Sequence, residues 1–142
     1  MAKRPPEWDG TTIIKETRAA LDRATGTFLR DTQSKLSVSS PFLTGRLASS
    51  WNIGKGQPDL SAPPEREEPG SGDPKPYKGE ITYGGMWYIS SNLPYTERAA
   101  LDPGYVGRRG NGKGDWFSRI QNRLPADWTR ISKRELSQVK GK

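Results

Sequence analysis

Between Thr11 and Leu36 the chain alternates apolar and charged positions with the period of a helix. Ile14, Leu21 and Phe28 recur at seven-residue intervals, and Thr17, Ala24, Thr32 and Leu36 fill in the same stripe. Lys15, Arg18, Asp22, Arg23, Arg30 and Asp31 lie mostly off it. Such a stripe predicts one long amphipathic helix over about 11–36, with its apolar face turned to a core. Thr11 or Thr12 is placed to cap it, with Glu16 in its first turns. Gly26 in its interior costs about 1 kcal/mol relative to alanine and suggests a bend or a close helix contact. Ahead of the helix, Pro5, Pro6 and Gly10 break residues 1–10 into a flexible arm.

Ser37 to Pro41 ends the periodic stretch and opens "PFLTGRLASSW", Pro41 to Trp51. Thr44 is expected to cap a short helical or turn segment over 45–50, Gly45 to bend the chain, and Leu47 and Trp51 to anchor it. The turn itself does not require the cation Arg46. From Trp51 and Ile53 the pattern becomes strand-like. Residues 54–79 then hold six Pro and five Gly together with Glu65, Glu67 and Glu68. A loop of that length inside a compact domain is either mobile or ordered by a partner. Order returns at "EITYGG" and "MWYISSN", which are rich in β-branched and aromatic residues and separated by Gly84 and Gly85. These read as a hairpin or a bulged strand pair. Asn92 to Tyr95 forms a turn whose corner Pro94 and Tyr95 fix, and "YTERAALD" a short helix stopped by Pro103 and Gly104. A glycine-rich basic loop, Gly107 to Gly114, follows. Asp115 is expected to cap "WFSRIQNRL", with Trp116, Ile120 and Leu124 on one face and Arg119 and Arg123 on another. Pro125 is expected to start a last helical stretch toward Val139, carrying Arg130, Lys133 and Arg134.

The expected fold is α+β: a long N-terminal amphipathic helix packed on a small, mostly antiparallel sheet, with C-terminal helices and long loops. Its organisation reads as a flexible arm over 1–10, an α+β domain over 11–104 that includes loop 54–79, and a basic loop with a helical segment over 105–142.

Composition narrows this picture. The 142 residues are 31% hydrophobic and include 16 Gly and 12 Pro, so the core is small and stability is expected to draw on neighbours, as in an oligomer. There is no Cys and no His, which removes thiolate chemistry, the commonest general base and the commonest metal ligand. No apolar run approaches a membrane span, and the start of the chain lacks the apolar stretch of a signal peptide. The net charge is +7, and its placement is uneven: residues 1–104 carry 13 basic and 13 acidic side chains, residues 105–142 carry 10 and 3. That asymmetry fits contact with a polyanion or an acidic protein, or a solvated basic tail.

Candidate chemistry is thin. Gly107 to Lys113 matches G-x-x-x-x-G-K, but Gly114 stands where a phosphate-binding loop needs Ser or Thr, and no buried strand precedes it. The acidic cluster Glu65, Glu67 and Glu68 sits in the Pro-rich loop, with no cleft to shift its carboxyls, and no base is placed to activate a serine. The expectation is therefore a protein that is not an enzyme and takes no cofactor or metal. Arg108, Arg109, Lys113, Arg119 and Arg123 could neutralise phosphates or an acidic partner. Trp116 and Phe117 could stack on bases, although Trp116 and Ile120 at helical spacing fit a core better. No sequence-reading nucleic-acid motif is present, so any DNA contact would be non-specific.

A long amphipathic helix, then "SPFLTGRLASSW", then a strand pair ending in "NLPYTERAALD", resembles the minor tail or tail-completion family of tailed bacteriophages. Those proteins carry Pro-x-x-Thr-Gly-x-Leu-x-x-Ser after the first helix, which corresponds here to Pro41, Thr44, Gly45, Leu47 and Ser50. After a strand they carry Asn-x-x-Pro-Tyr-Ala-x-x-x-Glu, which corresponds, with one residue fewer between Asn and Pro, to Asn92, Pro94, Tyr95 and, loosely, Glu97. Thr96 replaces the usual Ala, the acidic residue falls early, and Asp102-Pro103-Gly104 replaces a Gly-rich turn. The likeness covers about 11–104. It implies a structural role at the head–tail junction of a virion, assembled in the host cytoplasm. The implied partners are copies of the chain in a ring, and head-connector or tail-tube proteins, with no membrane involved. Trp51, Trp87 and Tyr88 are the expected core or subunit contacts. The 105–142 segment would face the DNA channel or an acidic neighbour. The alternative is a small basic DNA-binding accessory protein.

Overall fold

The computed structural model describes residues 10–41, 45–65, 70–102 and 115–139. Its elements run α1 (Gly10–Ser39), a 3-10 turn (Ala48–Ser50), β1 (Asn52–Lys55), β2 (Trp87–Ser90), α2 (Thr96–Leu101) and α3 (Trp116–Leu136). The arrangement is α+β, with a long N-terminal helix, a two-stranded antiparallel sheet and C-terminal helices. Among the described residues no helix is long and apolar enough to cross a membrane.

The chain divides into two compact units. The first comprises residues up to Phe28, Glu80–Gly84 and the residues from Pro125 on; the second comprises Leu29–Gly79 and Gly85–Leu124. Both α1 and α3 contribute to each.

In the first unit, α1 runs antiparallel to α3: Phe28 meets Trp128 edge-on at 5.6 Å, and Arg23 Nε meets Glu135 Oε2 at 3.1 Å. Ala20 and Ala24 are fully buried and Ile131 nearly so. The buried line of α1 therefore differs from the predicted seven-residue repeat. Leu21 and Phe28 are half-buried, and Ile14 is 66% exposed. Small side chains let a neighbouring element approach closely, so the line of closest contact passes through alanines rather than through the largest apolar residues.

In the second unit, the end of α1 leans on the sheet. Gln33 Nε2 donates to the Trp51 carbonyl at 2.8 Å, and Leu36 joins Leu47, Trp51, Leu93, Ala99, Ala100 and Trp116 in one buried cluster. Ser40 closes the helix: its N–H donates to the Leu36 carbonyl at 3.0 Å, its hydroxyl donates to the same carbonyl, and Pro41 follows. The two strands pair antiparallel in the register Asn52–Ser90, Ile53–Ile89, Gly54–Tyr88 and Lys55–Trp87. A sheet of two short strands is marginal alone in water. It is held by the cluster beneath, against which Ile89 packs.

Two expectations are corrected here. "EITYGG" is not a strand, and β2 pairs across the long loop with β1 instead. Gly84 and Gly85 both take positive φ, +100° and +71°, and the chain before them belongs to the first unit, where Tyr83 N donates to Asp22 Oδ1 at 2.8 Å. The Tyr83 N–H is thus taken by a side chain of α1 rather than by a neighbouring strand. The second correction concerns Pro125, which starts no helix but lies inside α3. Proline leaves the carbonyl four residues earlier without a helical donor. That carbonyl belongs to Gln121, which is solvent-exposed, where losing a helical donor costs less than in a buried helix.

Candidate functional site

The two segments that carry the resemblance meet in the second unit. From the first, Gly45 takes φ +86°, a value that side-chain-bearing residues avoid, and turns the chain into the 3-10 turn. Ser49 N donates to the Gly45 carbonyl at 2.9 Å, and Ser50 N to that of Leu47 at 3.0 Å. Thr44, the expected cap of this turn, lies outside the described residues. From the second segment, Thr96 N donates to the Leu93 carbonyl at 3.1 Å and closes the corner that Pro94 and Tyr95 occupy.

A line of hydroxyls joins them. Ser50 Oγ, which is fully buried, bonds Ser91 Oγ, and Ser91 Oγ bonds Thr96 Oγ1 at 2.9 Å. Thr96 Oγ1 also accepts from Leu93 N at 3.3 Å. Thr96 therefore supplies the terminal hydroxyl of this line. Leu47 and Trp51 on one side share the buried cluster with Leu93, Ala99 and Ala100 on the other. Around Trp51 the packing is aromatic: Trp116 lies edge-on at 6.3 Å and Phe117 is stacked at 6.2 Å. Both indole N–H groups are used. Trp51 Nε1 donates to Ser40 Oγ at 2.8 Å, and Trp116 Nε1 to the Ala99 carbonyl at 3.1 Å. Chemically the junction is a set of hydroxyls bonded to one another and to main chain. Among the described residues no charged side chain shares these bonds.

The long loop is tied to this unit by an arrangement that its composition explains. Proline has no N–H, so a segment rich in it offers carbonyls and few donors. The surrounding elements supply side-chain donors to match. Gln33 Nε2 reaches the Lys75 carbonyl at 3.2 Å, and Ser37 Oγ that of Gly72 at 3.0 Å. Arg46 Nε reaches the Pro63 carbonyl at 3.0 Å, and Asn52 Nδ2 that of Ser61 at 2.7 Å. Asn92 Nδ2 reaches the Leu60 carbonyl at 3.0 Å. This answers the question that Arg46 raised. The loop uses its guanidinium, to which Glu65 adds a 3.7 Å ion pair. Gln33 and Ser37 carry the one sequence signal of these anchors: they are uncharged polar residues set one turn apart inside an apolar stripe.

Within the loop, Lys75 Nζ meets Asp59 Oδ2 at 2.8 Å, while Ser61 donates to Asp59 Oδ1 through its N–H at 3.0 Å and its hydroxyl at 2.7 Å. The bond from Lys75 first, and those from Ser61 next, lower the Asp59 carboxyl from 3.8 to about 2. A carboxyl more acidic folded than unfolded stabilises the fold above its unfolded value, and that contribution is lost as the pH falls through the folded one. Wild-type protein is therefore expected to lose stability between about pH 4 and pH 2 more steeply than Asp59→Asn. Urea midpoints taken across that window measure the difference; equal slopes would count against the ion pair.

The other predicted residues fall as follows. Trp51 is core, at 3% exposure. Trp87 is half-buried on the sheet, edge-on to Tyr77 at 5.5 Å and with Lys55 Nζ 5.7 Å from its ring; Tyr88 is half-buried beside it. Arg119 is exposed and pairs with Asp115 at 3.1 Å, and Arg123 is exposed. Arg108, Arg109 and Lys113 lie outside the described residues. Trp116 is 2% exposed and packs in the core, so it offers no stacking face to a base. Compared with models of known families, with curated proteins and with solved structures, the chain finds no match.

Proposed function

We propose that this chain is a structural component of the neck of a tailed-phage virion, a tail-completion or tail-terminator protein. It would act as a ring of identical copies between capsid connector and tail tube, with DNA passing through. The observation that carries this reading is the junction itself. Two motif segments more than forty residues apart are joined through Ser91, whose hydroxyl bonds Ser50 of the first and Thr96 of the second, and they share one buried cluster. A likeness of two unrelated local turns would not require them to meet. The role is mechanical: a rigid corner, a sheet edge and a tethered loop present surfaces to neighbours. The basic 105–142 segment would line the DNA path or meet an acidic neighbour. For the DNA-binding alternative, Trp116 is buried and Phe117, half-buried, has one face stacked on Trp51.

Labelled copies located in averaged particle images test the proposal. Density at the junction of capsid and tail is the expected result. Density elsewhere on the particle, or none, would remove it. For the isolated chain, ring formation with negligible duplex-DNA affinity at physiological salt is expected. Micromolar binding with a steep salt slope would favour the DNA-binding alternative.

A further inference from the structure

The first unit carries an open apolar groove of about 660 Å³. One wall is the N-terminal part of α1, with Ile13, Ile14, Thr17 and Leu21; the other is Thr82 and Tyr83. The groove has a structural cause. α3 ends at Leu136, one residue past the Arg23–Glu135 ion pair, whereas α1 continues from Arg23 back to Gly10. The apolar row of α1 thus runs on for several turns beyond the helix it packs against. Ile14 is left 66% exposed and Tyr83 49%. Beside the row stand Arg18 and Asp22, one turn apart. Among the described residues Arg18 has no ion-pair partner.

The second unit carries a matching projection. Leu101, at the end of α2, is 63% exposed. Next to it stand Arg98 and Asp102, also one turn apart and 3.7 Å from each other as an exposed ion pair, with side chains 73% and 46% exposed, so a facing Asp and Arg extend that pair into a four-charge row. Two helices that each carry Arg and then Asp four residues on are complementary when antiparallel, because each cation then faces an anion. In that alignment Leu101 falls at the level between Thr17 and Leu21, on the same side of the charge row as both.

We infer that the α1 groove is the seat for Leu101 of a second copy, with Arg18 against the second copy's Asp102 and Asp22 against its Arg98. Groove and projection are different surfaces, so the contact is head-to-tail, the kind that generates closed rings or open filaments rather than two-fold dimers. The inference rests on the proposed ring and names the surface through which its copies meet.

The chain has no cysteine, which gives a clean test on the full-length protein. Carrying Thr17→Cys and Leu101→Cys together, it is expected to yield a ladder of disulfide-linked multimers under mild oxidation, where either single variant yields at most dimers. In light scattering, Arg18→Asp and Asp102→Arg are each expected to weaken self-association about tenfold, since like charges then face each other, and the double variant to recover it. These are exposed positions, so far-ultraviolet circular dichroism is expected to stay unchanged. Rings indifferent to both reversals and giving no ladder overturn this contact while leaving the ring intact. A cross-link that stops at dimers overturns it in favour of a two-fold contact. A chain that stays monomeric at millimolar concentration overturns both the contact and the ring.

Discussion

Trp51→Ala is expected to leave the protein largely unfolded at room temperature. The indole fills the centre of the second unit's core, between Leu36, Leu47, Leu93 and the rings of Trp116 and Phe117, and is 3% exposed. Truncating a buried tryptophan to alanine typically removes about 3–5 kcal/mol through lost transfer energy and the cavity left behind. The same substitution also removes the bond that the indole N–H donates to the Ser40 hydroxyl. A domain holds only about 5–15 kcal/mol in total, and a chain with so small a core lies toward the low end. Thermal melts followed by near-ultraviolet circular dichroism are expected to show a broad, early transition or none. Trp51→Phe, which keeps a ring, is expected to retain a cooperative transition at a lower temperature. An alanine variant that melts within a few degrees of wild type would place the core elsewhere.

The second large effect is expected from the smallest residue of β1. A Cβ added at Gly54 would lie 2.3 Å from the Gln57 carbonyl oxygen and 2.9 Å from the Asp59 nitrogen. Both are main-chain atoms, so no side chain can rotate away. Gly54→Ala must push the loop off the strand or pull the strand from its partner Tyr88. Overpacking of this kind costs about 1–3 kcal/mol, and more where the backbone cannot give. The damage is also local. Hydrogen exchange is expected to speed up at residues 57–61 and along the β1–β2 ladder, while α1 keeps its protection. Uniform loss across the chain, or none, would contradict the close approach at Gly54.

How much of this was legible in the sequence depended on the range of the interaction. α1 was, because thirty residues of helical periodicity need no partner to be visible. So were α2 and the "WYIS" strand. The pairing of that strand was not. "EITYGG" is adjacent and β-rich, and adjacency is the usual guide, yet the partner came from across the loop. The Tyr83 N–H went instead to a side chain of α1, a tertiary fact that no local pattern encodes. Pro125 misled for the opposite reason, since its local rule is strong but an exposed carbonyl one turn earlier relaxes it. The junction was half legible. Both segments stood out by residue type, while the Ser50–Ser91–Thr96 bonds that join them did not. A buried serine and an exposed one are spelled the same way.

The tether of the long loop has a consequence for how this chain can change. Gln33, Ser37, Arg46, Asn52 and Asn92 all grip carbonyl oxygens, and a carbonyl is common to every residue type. The grip is therefore blind to the identity of the residues it holds. Among the described residues of the loop, outward-facing side chains other than Asp59, Ser61, Glu65, Lys75 and Tyr77, which make bonds or ring contacts of their own, can be exchanged without touching these carbonyl bonds. The frame works as a template that fixes a shape and leaves its lettering open. Lineages facing different neighbours could rewrite that surface rapidly on an unaltered scaffold.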